Sequence, residues 1–170
     1  MSSPQKAKGK SYERDCAKNL SDVFGLNFIR VPNSGAYIGN SNSFRNETLT
    51  AEQQLLMDGD LIVPKELSNF SFECKFHKDI GKISSWFDGN AKLTDWISQA
   101  SHTSKKFWLL MFKINNMGEF LVFDPSLLST LKIPPNWLKY QNICIIRLNW
   151  EPDGFFYVNK DEILKIGLNI

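Results

Sequence analysis

The sequence predicts a single α/β domain in which helices flank a central sheet. Apolar residues recur at helical spacing over residues 11–24 and again over residues 91–103, and short apolar runs typical of strands lie between and after these helices. With 170 residues, 42% of them hydrophobic, the chain can bury one sizeable core. Residues 1–10 are polar, so we expect a flexible N-terminus followed by one domain over residues 11–170.

The first helix carries an acid on its apolar face. Glu13 shares that face with Ala17 and Leu20, because helical residues three or four apart stack on one side. A carboxylate on the inward face of a helix is costly unless a partner compensates its charge. Three interpretations stay open: Glu13 lies at the solvated edge of the stripe, pairs with Arg30, or faces a metal site.

A second face of the same helix is basic. Lys10, Arg14 and Lys18 are spaced by four and line this face. Such a row is either an ordinary solvated surface or a track for a phosphate backbone. Because the formal net charge is only +2, affinity for nucleic acid has to come from local patches of this kind rather than from bulk charge.

The rest of the chain alternates short strands with loops and helices. A strand over residues 27–31 is broken by Pro, Asn, Ser and Gly at 32–35. A loop rich in Asn and Ser follows over residues 36–50, and then one or two helical turns at 50–56. Further strands are predicted at 60–63, 70–76, 107–114, 119–123, 143–150 and 155–158, and a closing helix at 160–166.

Two of these strands carry a group of charged residues. Asp60 begins one strand, and Glu73 and Lys75 lie in the next. Because strand side chains alternate between faces, Glu73 and Lys75 point to one side while apolar residues such as Cys74 point to the other. Two acids beside a lysine suit a divalent metal bound next to a phosphate, since carboxylates hold the hard cation and an ammonium stabilises negative charge. Asp58 is a competing ligand.

This pattern resembles the signature of a known superfamily. Asp60 followed by Glu73-x-Lys75 is similar to the Asp…Glu-x-Lys motif of the PD-(D/E)xK nucleases. Over residues 9–124, the order of motifs is similar to that of the archaeal-type Holliday junction resolvases, and closer still to resolvase-like nucleases encoded by bacteriophages. The other motifs that carry this likeness are Tyr12-Glu13-Arg14, Asn33-Ser34-Gly35-Ala36 and Asp95-Trp96-Ile97-Ser98-Gln99-Ala100.

The chain departs from the resembled family at two points. Gly59 stands where proline is frequent, an exchange that we expect to be harmless. Residues 37–57 form a longer stretch than the compact resolvases need, which leaves substrate choice open. Asp60, rather than Asp58, occupies the place of the family's aspartate, because it directly precedes the apolar strand.

The resemblance implies a restriction-endonuclease-like fold, with a mixed central sheet flanked by helices. The strands of Asp60 and Glu73 should pair, with the helix of Glu13 packed against them. The implied cofactor is Mg²⁺, with Mn²⁺ able to substitute. Asp60, Glu73 and the carbonyl of Cys74 would bind it, with Glu13 assisting directly or through water. Lys75 would position or deprotonate the attacking water, and no small-molecule cofactor is expected.

Two further residues become candidates through the resemblance. Ser34 matches a serine close to the active site, whereas its plain role beside Gly35 is to form a turn. Gln99 ends a Trp-x-x-Gln pattern that points at the site in the phage nucleases, whereas its plain role is that of a helix-surface amide. His77 is either a surface histidine or a residue that tunes the site. The candidate catalytic set is Glu13, Ser34, Asp60, Glu73, Lys75 and Gln99.

The implied activity is Mg²⁺-dependent hydrolysis of phosphodiester bonds in branched DNA, as by a phage-type Holliday junction resolvase. A four-way junction is two-fold symmetric and must be cut twice, so a homodimer is expected. The candidate DNA contacts are Lys10, Arg14, Lys18 and Arg45. The alternatives are a nuclease of this fold that acts on linear or replication-intermediate DNA, and a non-catalytic DNA-binding module, which would not need the acids and the lysine.

The cysteine content and the absence of apolar runs predict a cytoplasmic location, which is the host cytoplasm if the chain is phage-encoded. Cys16, Cys74 and Cys144 are widely spaced and odd in number, so reduced thiols are expected rather than disulfides or a zinc site. No signal peptide or membrane-spanning run is predicted, and no membrane partner is expected.

Overall fold

The computed structural model describes residues 4–32, 58–86, 89–133, 137–140 and 143–168. The helices are α1 (Pro4–Phe24), α2 (Ile83–Trp86), α3 (Ala91–Ser101), α4 (Phe155–Val158) and α5 (Lys160–Gly167). The strands are β1 (Ile29–Arg30), β2 (Leu61–Ile62), β3 (Phe70–His77), β4 (Phe107–Ile114), β5 (Gly118–Phe123), β6 (Trp137–Tyr140) and β7 (Ile143–Leu148). Short 3₁₀ turns lie at Lys65–Leu67 and Pro125–Ser129. None of the helices in these ranges is long and apolar enough to cross a membrane.

The central sheet is mixed, as predicted. Its five strands lie in the order β3-β4-β5-β7-β6. β3 and β4 are parallel, and the other neighbours are antiparallel. A parallel pair needs a crossover connection, which α2 and α3 provide between β3 and β4. β3 is therefore an edge strand of this sheet, while β1 and β2 pair with each other in a separate two-stranded sheet.

Helices cover both faces of the sheet, and side-chain alternation assigns each strand residue to one of them. Phe72 of β3 and Met111 of β4 belong to the core cluster that includes Leu20 of α1. Phe112 of β4 belongs to a second cluster, which includes Trp96 of α3. The predicted packing of α1 against β3 is confirmed.

Helix α1 begins at Pro4, seven residues before the predicted start at residue 11. Proline is favoured in the first turn of a helix, where its missing N–H would have no partner. The added turns also have a contact to make, because the ammonium of Lys8 lies 5.8 Å from the ring centre of Phe76. The helix ends at Gly25, whose positive φ of 66° suits the left-handed residue that terminates many helices. The division of the chain at residue 10 stays a prediction.

The strand predicted at residues 155–158 is wrong, since these residues form helix α4. Phe155 and Phe156 are adjacent and both buried. Phe155 stacks on Phe123 of the sheet, while Phe156 stacks on Trp150 and meets Phe24 of α1 edge-on. On a helical turn, successive side chains point in different directions, so Phe155 can pack on the sheet while Phe156 packs on Trp150 and α1. Besides β5, the antiparallel partner of β7 is β6, a strand that was not predicted from the sequence.

The C-terminal helix holds the connection between the two segments that carry the acids. The side-chain amide of Asn69, just before β3, donates to the carbonyls of Ile166 (3.3 Å) and Gly167 (3.0 Å). Helix α5 also lies so close to the 3₁₀ turn that a Cβ on Gly167 would be 2.2 Å from the carbonyl oxygen of Glu66. The predicted closing helix at 160–166 is confirmed, and it braces the path from β2 to β3.

Several predictions fall outside the described residues. The loop predicted at 36–50 and the helical turns predicted at 50–56 lie there, as do Ser34 and Arg45.

Candidate active site

Asp60 lies against the outer edge of β3, directly before β2. Its N–H donates to the carbonyl of Phe72 (2.9 Å), and its Oδ2 accepts from the N–H of Cys74 (2.8 Å). The carboxylate thus accepts the hydrogen bond that a backbone carbonyl of a neighbouring strand would accept from the N–H of Cys74. The side chain is held rigidly, and the residue is only 7% exposed.

The regular pairing predicted between the strands of Asp60 and Glu73 is wrong. After Asp60, the chain pairs with β1 instead, with Ile29 opposite Ile62 and Arg30 opposite Leu61. The carbonyl of Asp60 accepts from the N–H of Val31 (2.8 Å), so the segment turns from β3 to β1 at this residue. Asp60 is therefore the point at which the small sheet meets the large one.

Glu73 and Lys75 share one face of β3, as the alternation predicts. Lys75 Nζ lies 2.5 Å from Glu73 Oε1, and the side chains are only 23% and 17% exposed. Burial and then the negative charge of Asp60 raise the pKa of Glu73 to about 7, although Lys75 acts in the opposite direction. Burial by itself lowers the pKa of Lys75, but the charge and hydrogen bond of Glu73, with Asp60, outweigh it, so the pKa of Lys75 is raised.

Glu13 reaches this group from α1. Its Oε2 accepts a hydrogen bond from Nε of Arg30, which is one of the three alternatives that the sequence left open for Glu13. The Glu13 and Arg30 side chains are 13% and 17% exposed. The negative charge of Glu13 also adds to the raised pKa of Glu73, so the two carboxyls lie within electrostatic reach. Pairing with Arg30 thus places Glu13 beside the site.

The Cys74 backbone faces the same edge. In an extended strand the N–H and C=O of one residue point to the same side. Because the N–H of Cys74 points to Asp60, its carbonyl points toward the acids as well. The thiol lies on the opposite, buried face, and Cys16, Cys74 and Cys144 are free, as expected.

The donors at this edge fit a divalent cation. Burial and then the negative charge of the nearby Asp60 raise the pKa of Glu73, and a cation between the two carboxylates would relieve their repulsion. Within the described ranges, no three Asp, Glu, His or Cys side chains form a complete ligand set. Mg²⁺ does not require one, because it keeps several waters and takes one or two carboxylates together with a substrate phosphate.

The raised pKa of Glu73 predicts a pH dependence of the metal-free protein. Between about pH 4.5 and 7, Glu73 is ionised in the unfolded chain but still protonated in the folded protein. The unfolded state then binds fewer protons, so the free energy of unfolding should fall by up to about 1.4 kcal/mol per pH unit as pH rises. Urea unfolding in chelator across this window measures the slope. The Glu73→Gln variant should lose it, and an unchanged slope in that variant would refute the assignment.

The other candidates are placed less directly. Gln99 is exposed on α3. The helix passes the site on the face of Glu73, because the ring of Trp96 lies 6.0 Å from that of His77. None of the contacts within the described ranges joins Gln99 to an acid or to Lys75. His77 bonds through Nδ1 to the carbonyl of Asp79 (2.7 Å) at the end of β3. The basic residues Lys10, Arg14 and Lys18 are all exposed on α1.

Gly59, directly before Asp60, has a backbone conformation that was not predicted from the sequence. Its φ is +92°, and a Cβ there would lie 2.8 Å from both the carbonyl oxygen of Phe72 and Oγ of Ser71. That glycine in place of proline is harmless stays a prediction, but the two are not interchangeable in this backbone, because proline fixes φ near −65°. A turn to positive φ brings the chain flat against β3. The sequence did contain one sign of this positive φ, a glycine directly before Asp60.

Comparison with protein families confirms the nuclease assignment at family level. Residues 4–157 match the family described as "Phage putative PDDEXK endonuclease". No curated protein and no solved structure matched the chain. The match covers α1, the edge of β3 with its acids and lysine, and the sheet through β7. The chain therefore belongs to the phage PD-(D/E)xK endonuclease family.

Proposed function

We propose that the protein is a Mg²⁺-dependent endodeoxyribonuclease whose preferred substrate is branched DNA, as for a Holliday junction resolvase. The observation that carries the nuclease assignment is the meeting of Asp60, Glu73 and Lys75 at one edge of β3. A binding module would have no need for two largely buried acids side by side, where burial and then the charge of Asp60 raise the pKa of Glu73.

The acids at this edge and the backbone of β3 would bind the metal ion. Asp60, Glu73 and the carbonyl of Cys74 would hold the cation, with Glu13 assisting through water while it stays bonded to Arg30. Bound there, Mg²⁺ would acidify water and neutralise charge on the phosphate. The hydrogen bond from the Cys74 N–H fixes Asp60 before substrate arrives, so no reorganisation of this carboxylate is needed during the reaction.

Lys75 is suited to donate rather than to accept a proton. Its raised pKa keeps the ammonium charged at neutral pH. The resemblance allows Lys75 either to position the attacking water or to deprotonate it. A charged ammonium favours the first role, together with stabilisation of negative charge on the phosphate. The hydrogen bond to Glu73 aims the ammonium along the face of β3 that carries the acids.

The substrate is proposed to be bound through phosphates on α1. Lys10, Arg14 and Lys18 are exposed and spaced by four on the helix that also carries Glu13, so they form a row beside the site. With a net charge of only +2, non-specific binding should be weak, and discrimination then depends on the shape of the DNA. The resemblance to phage resolvases and the symmetry of a junction support a branched substrate and a homodimer.

Cleavage of matched DNAs tests this proposal. The full-length protein is incubated with Mg²⁺ and end-labelled four-way junction, flap and linear duplex of the same sequences. Faster cutting of the junction, with paired cuts and a dimer in sedimentation, supports the resolvase assignment. Equal cutting of junction and linear DNA, or a monomer bound to DNA, refutes it and leaves a nuclease of linear or replication-intermediate DNA. Binding without cutting of any substrate refutes the nuclease proposal.

Glu13→Gln should impair both stability and activity. Glutamine keeps the shape but loses the charge that pairs with Arg30, which we expect to cost about 1–3 kcal/mol in the free energy of unfolding. Cleavage should fall and recover in part at high Mg²⁺ or Mn²⁺. Asp22→Asn, an exposed acid on the same helix, is the matched control. Normal turnover with only a lower melting temperature would remove Glu13 from the site.

A further inference from the structure

Asp58 is bound to a distant loop by an unusually dense set of hydrogen bonds. Its Oδ2 accepts from the hydroxyl of Thr103 (2.8 Å) and from both the N–H and the hydroxyl of Ser104 (2.7 Å each). These donors lie in the loop that joins α3 to β4, more than 40 residues along the chain. A carboxylate with three donors on one oxygen is anchored.

The anchoring loop is itself fixed at both ends. The N–H of His102 bonds to the carbonyls of Ser98 and Gln99 at the end of α3 (3.2 Å each). The N–H of Lys105 bonds to the hydroxyl of Thr103 (3.0 Å). At the other end, β4 starts in register with β3, with Phe107 opposite Phe70. The loop therefore offers Asp58 a rigid base on the same sheet that carries Glu73.

Three consecutive residues are thus held at three separate places. Asp58 is bonded to the loop after α3, and Asp60 bonds to Cys74. Gly59 between them lies so close to β3 that an added Cβ would be 2.8 Å from the carbonyl oxygen of Phe72. The segment follows residues that are not part of the described structure and leads into the two-residue strand β2. Asp60 has its own hydrogen bonds to β3 and β1, and the Asp58 anchor restrains the chain on the side of Asp60 that faces away from the short strand β2.

We propose that Asp58 is a positioning residue of the site. Through its bonds to Thr103 and Ser104 it holds Asp60 at the edge of β3, where Asp60 can bind a cation. This rests on the proposed function for its catalytic consequence. Asp58 is not a ligand in this assignment, although it competed with Asp60 in the sequence, because its carboxylate bonds to the α3–β4 loop, whereas that of Asp60 bonds to the edge of β3. The α3–β4 loop becomes part of the machinery that orders the metal-binding edge.

The N–H of Cys74 reports on Asp60 without any need for metal or DNA. It bonds to Asp60 Oδ2 at the open edge of the sheet, so it should exchange with solvent once Asp60 is released. Amide exchange by NMR in the metal-free protein is therefore the first measurement. Mn²⁺ binding by calorimetry, without DNA, is the second, and the rate of DNA cleavage is the third.

In Asp58→Ala, we expect the Cys74 amide to exchange about tenfold faster or more, while amides in the central strand β5 stay protected. Mn²⁺ affinity and cleavage should fall about 10- to 100-fold, as on loss of a residue that orients a metal ligand. Asp58→Asn should restore all three values, because its amide oxygen can still accept from the loop. Thr103→Val, which removes one donor from the other side of the contact, should shift them in the same direction as Asp58→Ala.

Asp124→Ala is the matched control. Asp124 likewise accepts from the N–H (2.9 Å) and hydroxyl (2.6 Å) of one serine, Ser126, in a turn after β5. It should leave the Cys74 amide and Mn²⁺ binding unchanged.

Two results would overturn the proposal. One is a lower melting temperature in Asp58→Ala with unchanged Cys74 exchange and Mn²⁺ affinity, which would make Asp58 merely structural. The other is an Asp58→Asn variant as defective as Asp58→Ala in Mn²⁺ binding, which would make Asp58 a ligand. If the wild-type protein cuts no DNA, the proposed function fails, yet exchange and Mn²⁺ binding still decide the role of Asp58.

Discussion

Asp60→Asn, Glu73→Gln and Lys75→Ala are each expected to lower the rate of DNA cleavage about a thousandfold or more, with the fold intact. Asp60→Asn keeps an oxygen that can accept from the Cys74 N–H and removes only the charge. Glu73→Gln removes a carboxyl whose pKa is already raised to about 7, so the folded protein should tolerate the neutral side chain. Lys75→Ala removes the ammonium that we propose stabilises negative charge on the phosphate.

Single-turnover cleavage, DNA binding and melting temperature are measured together for these variants. Glu162 and Lys165 supply the control, because they form a comparable pair (2.7 Å) on the surface of α5, with side chains 39% and 61% exposed. Glu162→Gln and Lys165→Ala should cleave at the wild-type rate. A wild-type rate in any of the three site variants would remove that residue from the catalytic set.

Gly59→Ala should damage the site far more than the same change at another glycine of positive φ. At Gly59 the new Cβ would lie 2.8 Å from the carbonyl of Phe72, which accepts from the N–H of Asp60. We expect a loss of about 2–4 kcal/mol in the free energy of unfolding, from backbone strain and the clash together. Cleavage should fall about a hundredfold, because the shift moves Asp60 away from Glu73.

Gly25→Ala is a close control for this change. Gly25 has φ +66°, but a Cβ there would have no atom within 4 Å. It should therefore cost only the strain of positive φ, about 1–2 kcal/mol, and leave cleavage unchanged. Urea unfolding and cleavage rates are compared for both variants. Equal losses of stability, with normal cleavage in Gly59→Ala, would show that the approach to β3 has no part in placing Asp60.

The strands and helices that could be predicted are those whose pattern is local and repetitive. The alternation in β3 placed Glu73 and Lys75 on one face and buried Phe72 on the other, as the structure shows. The apolar stripe of α1 predicted the helix itself, and it left pairing with Arg30 as one of three alternatives for the inward Glu13, a pairing that the structure shows. A single periodicity was enough to predict each of these two elements.

The features that could not be predicted depend on contacts between distant residues. Phe155 and Phe156 have the composition of a strand, yet a corner between α1 and the sheet selects a helix. Likewise, Asp58 carried no signal for its bonds to Thr103 and Ser104, because nothing in the local sequence brings the two loops together. The pairing of β2 with β1 rather than β3 is of the same kind, since two-residue strands carry too little pattern to fix their neighbour.

In the proposed mechanism, the acids and the lysine at the edge of β3 cleave DNA with a divalent cation. The most direct test is single-turnover cleavage of a labelled junction by the wild-type protein, in Mg²⁺ and in excess chelator, beside Asp60→Asn. We predict cleavage in Mg²⁺, none in chelator or by the variant, and recovery of the wild-type protein when Mg²⁺ or Mn²⁺ is returned. Full cleavage in excess chelator, or wild-type cleavage by Asp60→Asn, would contradict this mechanism.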